Sequence, residues 1–280
     1  MSKILAACAQ IECRPGDVAA NLEMHLDAIV KARREGVELL AFPELSLTDY
    51  LSKPDIHVLS RTVDGAEVRA IAAAAGDMTV SFGFIERDSE GRVYNSQALV
   101  SDGHLKHTHR KLNLPTYGKL LEGHYYSAGA TLALAPILNA RKVATLICAD
   151  SWNPALTWLA ALQQPDLLIQ PIASARGAVD GDFDNPMGWE INLRHTAMTY
   201  GLPVMMVNHC GRRSDLDFWG GSRILDPYGH ELARAGETPD LILAELDFAR
   251  AESARRNLPT IRDATPAFIA EELRRIMRRC

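Results

Sequence analysis

Three polar residues each stand at the end of an apolar run: Glu44 after Leu39-Leu40-Ala41-Phe42-Pro43, Lys111 after the stretch ending His109-Arg110, and Cys148 after Val143-Ala144-Thr145-Leu146-Ile147. Strand ends in α/β sheets are where reactive side chains collect, because the scaffold holds them rigidly beside an open crevice. A carboxylate, an ammonium and a thiol meeting there make a nucleophilic centre, in which the cation stabilises the thiolate and the carboxylate moves protons. Cys148 is then expected to alkylate well below an ordinary thiol pKa. Taken singly, each residue also has an ordinary role: Glu44 as a cap, Lys111 as a surface charge, Cys148 as strand filler.

Competing chemistries lack their signatures. There is no GxGxxG after a strand, no GxxxxGK[ST], no GxSxG, and His230-Glu231 is not followed by the second histidine of HExxH. His104, His107 and His109 offer imidazoles, but on a strand His107 and His109 share one face while His104 takes the other, so no metal site is expected. Asp180, Asp182 and Asp184 mimic the start of a calcium loop, yet Asn185 stands where Gly is needed and Ile191 where Glu is needed. Cysteines 8, 13, 148, 210 and 280 are odd in number, scattered and without a CxxC pair, which fits free thiols better than a disulfide framework or a zinc ribbon.

The elements that must position the three residues follow from apolar spacing. Residues 4–9 form a buried strand, Asp17 caps a helix carrying Val18, Leu22, Leu26, Ile29 and Val30, and residues 37–42 form a second strand stopped by Pro43. A helix closes at Gly76. Residues 79–85, 93–100 and the segment around Leu105 are strands joined by turns, so the sheet is mixed. Strands at 143–148, 167–170, 204–208, 222–225 and 241–246 follow, with helices near 155–162 and 191–200 and a basic terminal helix at 266–278. That last helix, with Arg274, Arg275, Arg278 and Arg279, either meets a partner or is simply solvated.

The 280 residues, 47% hydrophobic with a net charge of −5, suffice for a core without metal or disulfide, and no linker divides them. One α/β domain is expected. No basic stripe marks a nucleic-acid partner, no apolar run approaches a membrane span, and the N-terminus lacks a signal-peptide pattern, so the chain is expected to be cytoplasmic.

Phe42-Pro43-Glu44-Leu45, Arg110-Lys111-Leu112-Asn113-Leu114-Pro115-Thr116-Tyr117-Gly118 and Leu146-Ile147-Cys148-Ala149-Asp150-Ser151-Trp152 resemble the catalytic segments of the nitrilase superfamily of carbon–nitrogen hydrolases. Val207-Asn208-His209-Cys210-Gly211 and Phe218-Trp219-Gly220-Gly221-Ser222-Arg223-Ile224-Leu225-Asp226-Pro227-Tyr228-Gly229 look like its C-terminal half. The similarity runs from about residue 4 to 247, leaving 248–280 as an extension. It implies a four-layer α-β-β-α sandwich, pairing through helices into a homodimer or larger assembly, and no cofactor. It also implies Glu44 as general base, Lys111 and the Ala149 N–H as oxyanion donors, Cys148 as nucleophile, and Glu122 as a second carboxylate. The reaction would cleave a small amide to acid and ammonia through a thioester.

Within that family, Leu114 to Gly118 and Cys148 to Pro154 look most similar to the glutaminase domains of glutamine-dependent NAD synthetases and to related stand-alone amidases, which favours amides over nitriles. That likeness places Tyr50, Tyr117 and Trp152 around the substrate, although each also suits core packing. Trp189 is a further pocket candidate. The uncharged Ser151-Trp152-Asn153 lacks the basic grip typical of N-carbamoyl-amino-acid hydrolases. Arg176 is either a carboxylate grip or a solvent-facing loop residue. The length leaves no room for a synthetase domain, so ammonia would pass to a separate protein if at all. A silent interaction module of the same fold is the non-enzymatic alternative, and the intact Glu44, Lys111 and Cys148 argue against it.

Overall fold

In the computed structural model, residues 3–51, 53–137, 140–179, 181–213 and 216–278 are described. The first half of the chain forms β1 (Lys3–Gln10), α1 (Val18–Arg34), β2 (Leu39–Ala41), α2 (Ile56–Leu59), α3 (Ala66–Ala75), β3 (Thr79–Arg87), β4 (Val93–Ser101) and β5 (His104–Arg110). The second contributes β6 (Ala135–Pro136), β7 (Lys142–Thr145), α4 (Pro154–Leu162), β8 (Leu167–Pro171), β9 (Ala175–Arg176), α5 (Asn185–Tyr200), β10 (Val204–Val207) and β11 (Cys210–Arg213). Then come β12 (Leu216–Trp219), β13 (Arg223–Leu225), β14 (Glu231–Arg234), β15 (Asp240–Asp247), α6 (Phe248–Asn257) and α7 (Pro266–Met277).

Two six-stranded sheets result, ordered β15-β1-β2-β3-β4-β5 and β14-β13-β10-β8-β7-β6, with a small sheet β11-β12-β9 beside them. The pairs β1–β2, β2–β3, β7–β8 and β8–β10 are parallel and the flanking pairs antiparallel. Period-two alternation explains the layering. Ala6 and Cys8 of β1 meet Ile169 and Met205 of the other sheet in one core, while Ala7 and Ala9 face a second core that includes Ile29 and Ala32 of α1 and Ile71 of α3. On the far side, Ala144, Leu168 and Met206 pack with Ala160 of α4 and Leu193 of α5. The fold is therefore the expected α-β-β-α sandwich.

Local chemistry sets the ends of these elements. The Asp17 carboxylate accepts from Ala20 N at 3.0 Å, a cap that contributes about 1 kcal/mol. α5 begins at Asn185, six residues before the expected start, because Asp184 accepts from Met187 N and Pro186 suits a first helical turn. Asp184 is thus a helix cap; Asp180 lies outside the described residues. β7 stops at Thr145 rather than 148, freeing Leu146 and Ile147 to lead into a turn. The short strands β9, β11 and β12 carry too few residues to show periodicity. α7 buries none of its residues, leaving Phe268, Leu273 and Met277 exposed. No helix among the described residues is long and apolar enough to cross a membrane.

Candidate active site

Pro43 has no N–H to extend the ladder, so the chain turns at the end of β2 with Leu45 at φ 51° and Asp49 at φ 64°. This turn lies against Gly83 of β3, with Leu47 N donating to Gly83 O at 2.9 Å. Glu44 points from it into the protein and is fully buried. Its Oε1 accepts from Lys111 Nζ at 2.6 Å and from Asn95 Nδ2 of β4 at 2.7 Å. Its Oε2 is buried without a partner among the described residues.

Lys111 follows β5, with its N–H donating to Asn95 O at 2.9 Å. Its ammonium also donates to Glu122 Oε1 at 2.7 Å. Glu122 starts the short helical turn Glu122–His124 and accepts from Tyr50 Oη at 3.0 Å. Burial works against the lysine charge, but Glu122 and Glu44 outweigh it and hold its pKa well above the ordinary value. Burial pushes the Glu122 carboxyl up to about 7, with Lys111 opposing the rise and Glu44 adding to it.

Cys148 opens the turn Cys148–Trp152 with φ 45°, an unusual conformation for a residue with a Cβ, and is partly exposed. Burial raises its thiol pKa well above the ordinary value, Glu44 and Glu122 add to the rise, and Lys111 and the Ala173 backbone oppose it. This departs from the expected low-pKa thiolate. Two carboxylates face one ammonium in a buried cluster, so the balance of charge around the sulfur favours its protonated form.

Asp150 joins the cysteine turn to the lysine loop. Its Oδ1 accepts from the backbone of Leu112 at 3.0 Å and Asn113 at 2.7 Å, and its Oδ2 from Ile147 N at 3.1 Å and from His109 Nε2 at 3.2 Å. His109 is thereby accounted for as a buried structural imidazole, while His104 is exposed and His107 is half-buried with its Nε2 unpartnered among the described residues. The sequence signal for Asp150 was present in its place two residues after the cysteine. For Asn95 it was only a polar residue inside a buried strand.

A cavity of about 40 Å³ opens above Cys148, lined by Tyr50, Tyr117, Glu122, Ala149, Trp152 and Trp189 together with Pro115, Leu120, Phe183 and Asn185. Trp152 packs edge-on against Phe183 and Trp189, with ring centroids 5.4 and 5.1 Å away. Ser174 anchors the wall, its Oγ accepting from Asn185 Nδ2, Trp189 Nε1 and Trp219 Nε1, each at 3.1 Å. Among the described residues no arginine lines this cavity. Arg176 stands apart from it, paired with Glu237 at 2.8 Å and Asp217 at 3.5 Å, which matches its solvent-facing reading.

Residues 5–256 match the carbon-nitrogen hydrolase family. The chain is 30% identical to the glutamine-dependent NAD(+) synthetase of Thermotoga maritima over 88% of its own length and 42% of that protein. Against a Synechocystis enzyme of the same name it spans 50% of that protein, so it covers about half the length of these relatives. It is 28% identical to the deaminated glutathione amidase of Mus musculus, over 94% of this chain and 83% of that one. Among solved structures, a carbon-nitrogen hydrolase from Helicobacter pylori G27 shares the fold at TM-score 0.86 and 24% identity, covering 97% of this chain and 98% of the other. An amidase from Nesterenkonia sp. AN1 does so at 0.81 and 24%, covering 96% of each.

Proposed function

The chain belongs to the carbon–nitrogen hydrolase family, and we propose that it hydrolyses a short, uncharged amide to the acid and ammonia. The supporting observation is the cavity itself: about 40 Å³ over Cys148, walled by aromatic and apolar side chains, with Glu122 its one charged lining residue among those described. The cavity supplies no cation to grip a carboxylate, which disfavours N-carbamoyl amino acids and dicarboxylate monoamides. The names of the relatives point to bulkier amides, and the wall of this chain does not favour them. Nitrile hydrolysis, delivery of ammonia to a separate synthetase and a silent module find no comparable support in the site.

In this reading Glu44 Oε2 takes the Cys148 proton and the sulfur attacks the amide carbonyl. Lys111 and the Ala149 N–H, in the first turn of a short helix, hold the oxyanion. The proton on Glu44 passes to the departing nitrogen, which leaves as ammonia. Glu44 then deprotonates a water that attacks the thioester, and the proton returns to the sulfur as the acid departs. Glu122, with Tyr50, keeps Lys111 in place.

The whole chain acts as one hydrolase unit, with residues 248–280 an extension from it. Exposed Met187, Ile191 and Met198 along α5 and the uncovered α7 support a homo-oligomer, to be read by light scattering. Free thiols at Cys8, Cys13, Cys148 and Cys210 support a reducing, cytoplasmic setting.

The test is ammonia release from acetamide, propionamide, glutamine, N-carbamoyl amino acids and simple nitriles by wild type and Cys148→Ala. Turnover of the short amides that vanishes in the variant is expected. Turnover confined to carboxylate-bearing substrates would refute the substrate class, and an active alanine variant would refute the mechanism.

A further inference from the structure

After β10 the chain turns through Asn208 and His209 into β11. The Asn208 side chain fixes this corner, donating to Ser174 O at 3.1 Å and Gly220 O at 3.0 Å and accepting from Ser174 N at 2.9 Å. His209, fully buried, reaches across to the turn at the end of β2, where its Nε2 lies 2.6 Å from the main-chain carbonyl oxygen of Glu44. A carbonyl only accepts, so Nε2 carries the proton and Nδ1 is an acceptor.

The surroundings match that tautomer. Arg213 Nη2 lies 3.3 Å from Nδ1 and donates to it. The same guanidinium is held by the Asp49 carboxylate, with Nη2 to Oδ1 at 3.0 Å, and by the Cys210 carbonyl at 2.6 Å, and it stacks 4.5 Å over Phe218. Burial first, and Arg213 second, push the imidazole pKa down to about 3, so the ring is neutral in working conditions. Cys13, Asp49 and His209 bring their ligand atoms within 4.8 Å of one another. The guanidinium already occupies the Asp49 carboxylate and the open imidazole nitrogen there, which leaves no place for a metal ion.

We propose that His209 is a positioning residue for the general base: its Nε2–H, set by Arg213, holds the main chain at Glu44 so that the carboxylate meets both Lys111 and the Cys148 thiol. It is the strut by which the corner after β10 steadies a turn at the end of a strand in the other sheet. The inference rests on the assignment of Glu44 as base.

The decisive comparison is His209→Phe, which keeps a ring and loses the donor, against His209→Gln, whose amide N–H can reach the carbonyl. Both are measured with Glu44→Gln, on acetamide or propionamide and by iodoacetamide labelling of Cys148. For H209F, kcat falls about hundredfold with KM within about threefold, and labelling slows in parallel, the loss expected for a shift of about 1 Å in a reacting group. H209Q recovers most of it. Where H209F does not fold, His209→Asn replaces it, its amide being too short to reach. A folded variant without the donor but with wild-type kcat, or equal losses in it and H209Q, would overturn the proposal. An active E44Q enzyme would instead overturn the base assignment.

Discussion

Gly83 is the point in the fold where one methyl group should disable the site without touching a reacting atom. A Cβ there would lie 2.1 Å from the Leu45 amide nitrogen, 2.7 Å from the Pro43 carbonyl oxygen and 2.8 Å from the Glu44 carbonyl carbon. All three are main-chain atoms, so no rotamer change relieves the contact. Ordinary contact begins at 3.4 Å, and the turn must therefore lift by about 1 Å, a displacement that costs about hundredfold when it moves a catalytic group. The 2.6 Å contact from Lys111 to Glu44 and the 2.9 Å bond from Leu47 N to Gly83 O would both stretch. Overpacking of this kind costs about 1–3 kcal/mol of stability, which a chain of this size tolerates. Gly83→Ala is thus expected to fold with a lowered melting temperature and to lose about hundredfold in kcat for ammonia release, assayed well below that temperature. Gly236→Ala, whose Cβ would meet nothing within 4 Å, is the control and should match wild type. A folded G83A enzyme with wild-type kcat would refute the reasoning that the turn's height sets the base.

Asp150→Asn places an NH₂ where a carboxylate oxygen accepts two N–H donors, so buried donors lose their partners. A loss of about 3–5 kcal/mol in denaturant unfolding is expected, with slower iodoacetamide labelling of Cys148, and unchanged stability would contradict the clamp. Acid stability follows from buried imidazoles: burial lowers His209 to about 3 and His25 to about 4 from 6.5. The unfolded chain takes up these protons below pH 6.5 while the folded chain does not, so stability falls as pH drops, by about 2 kcal/mol per histidine at pH 5. Glu122 acts oppositely: with its folded pKa at about 7 against 4.5 unfolded, its contribution is full below 4.5 and lost as pH rises through 7. Melting temperature should therefore climb from pH 4.5 to 6.5 in wild type and climb more steeply in Glu122→Gln, and a flat wild-type curve would count against both assignments.

The strands that lead to Glu44, Lys111 and Cys148 were legible because apolar runs closed by Pro43 or by a polar residue are local signals, and the Asp17 cap was legible for the same reason. The start of α5 was missed because an aspartate-rich stretch looks like a loop until its last carboxylate is seen capping a helix. β9, β11 and β12 were missed because so few residues cannot display a period. Asn95, Ser174 and His209 each carry a partner more than forty residues away, and such pairings leave no trace in local spacing.

The sequence by itself determined which side chains stand at strand ends and what chemistry those groups can do, since residue type and period-two alternation are properties of a short segment. Tertiary structure alone decided that two carboxylates share one ammonium, that burial and those carboxylates raise the Cys148 thiol pKa, and that Arg176 pairs outside the cavity while the aromatic rings close it. Electrostatic energies and cavity walls depend on distance and burial in three dimensions, and those exist only after the two sheets have packed.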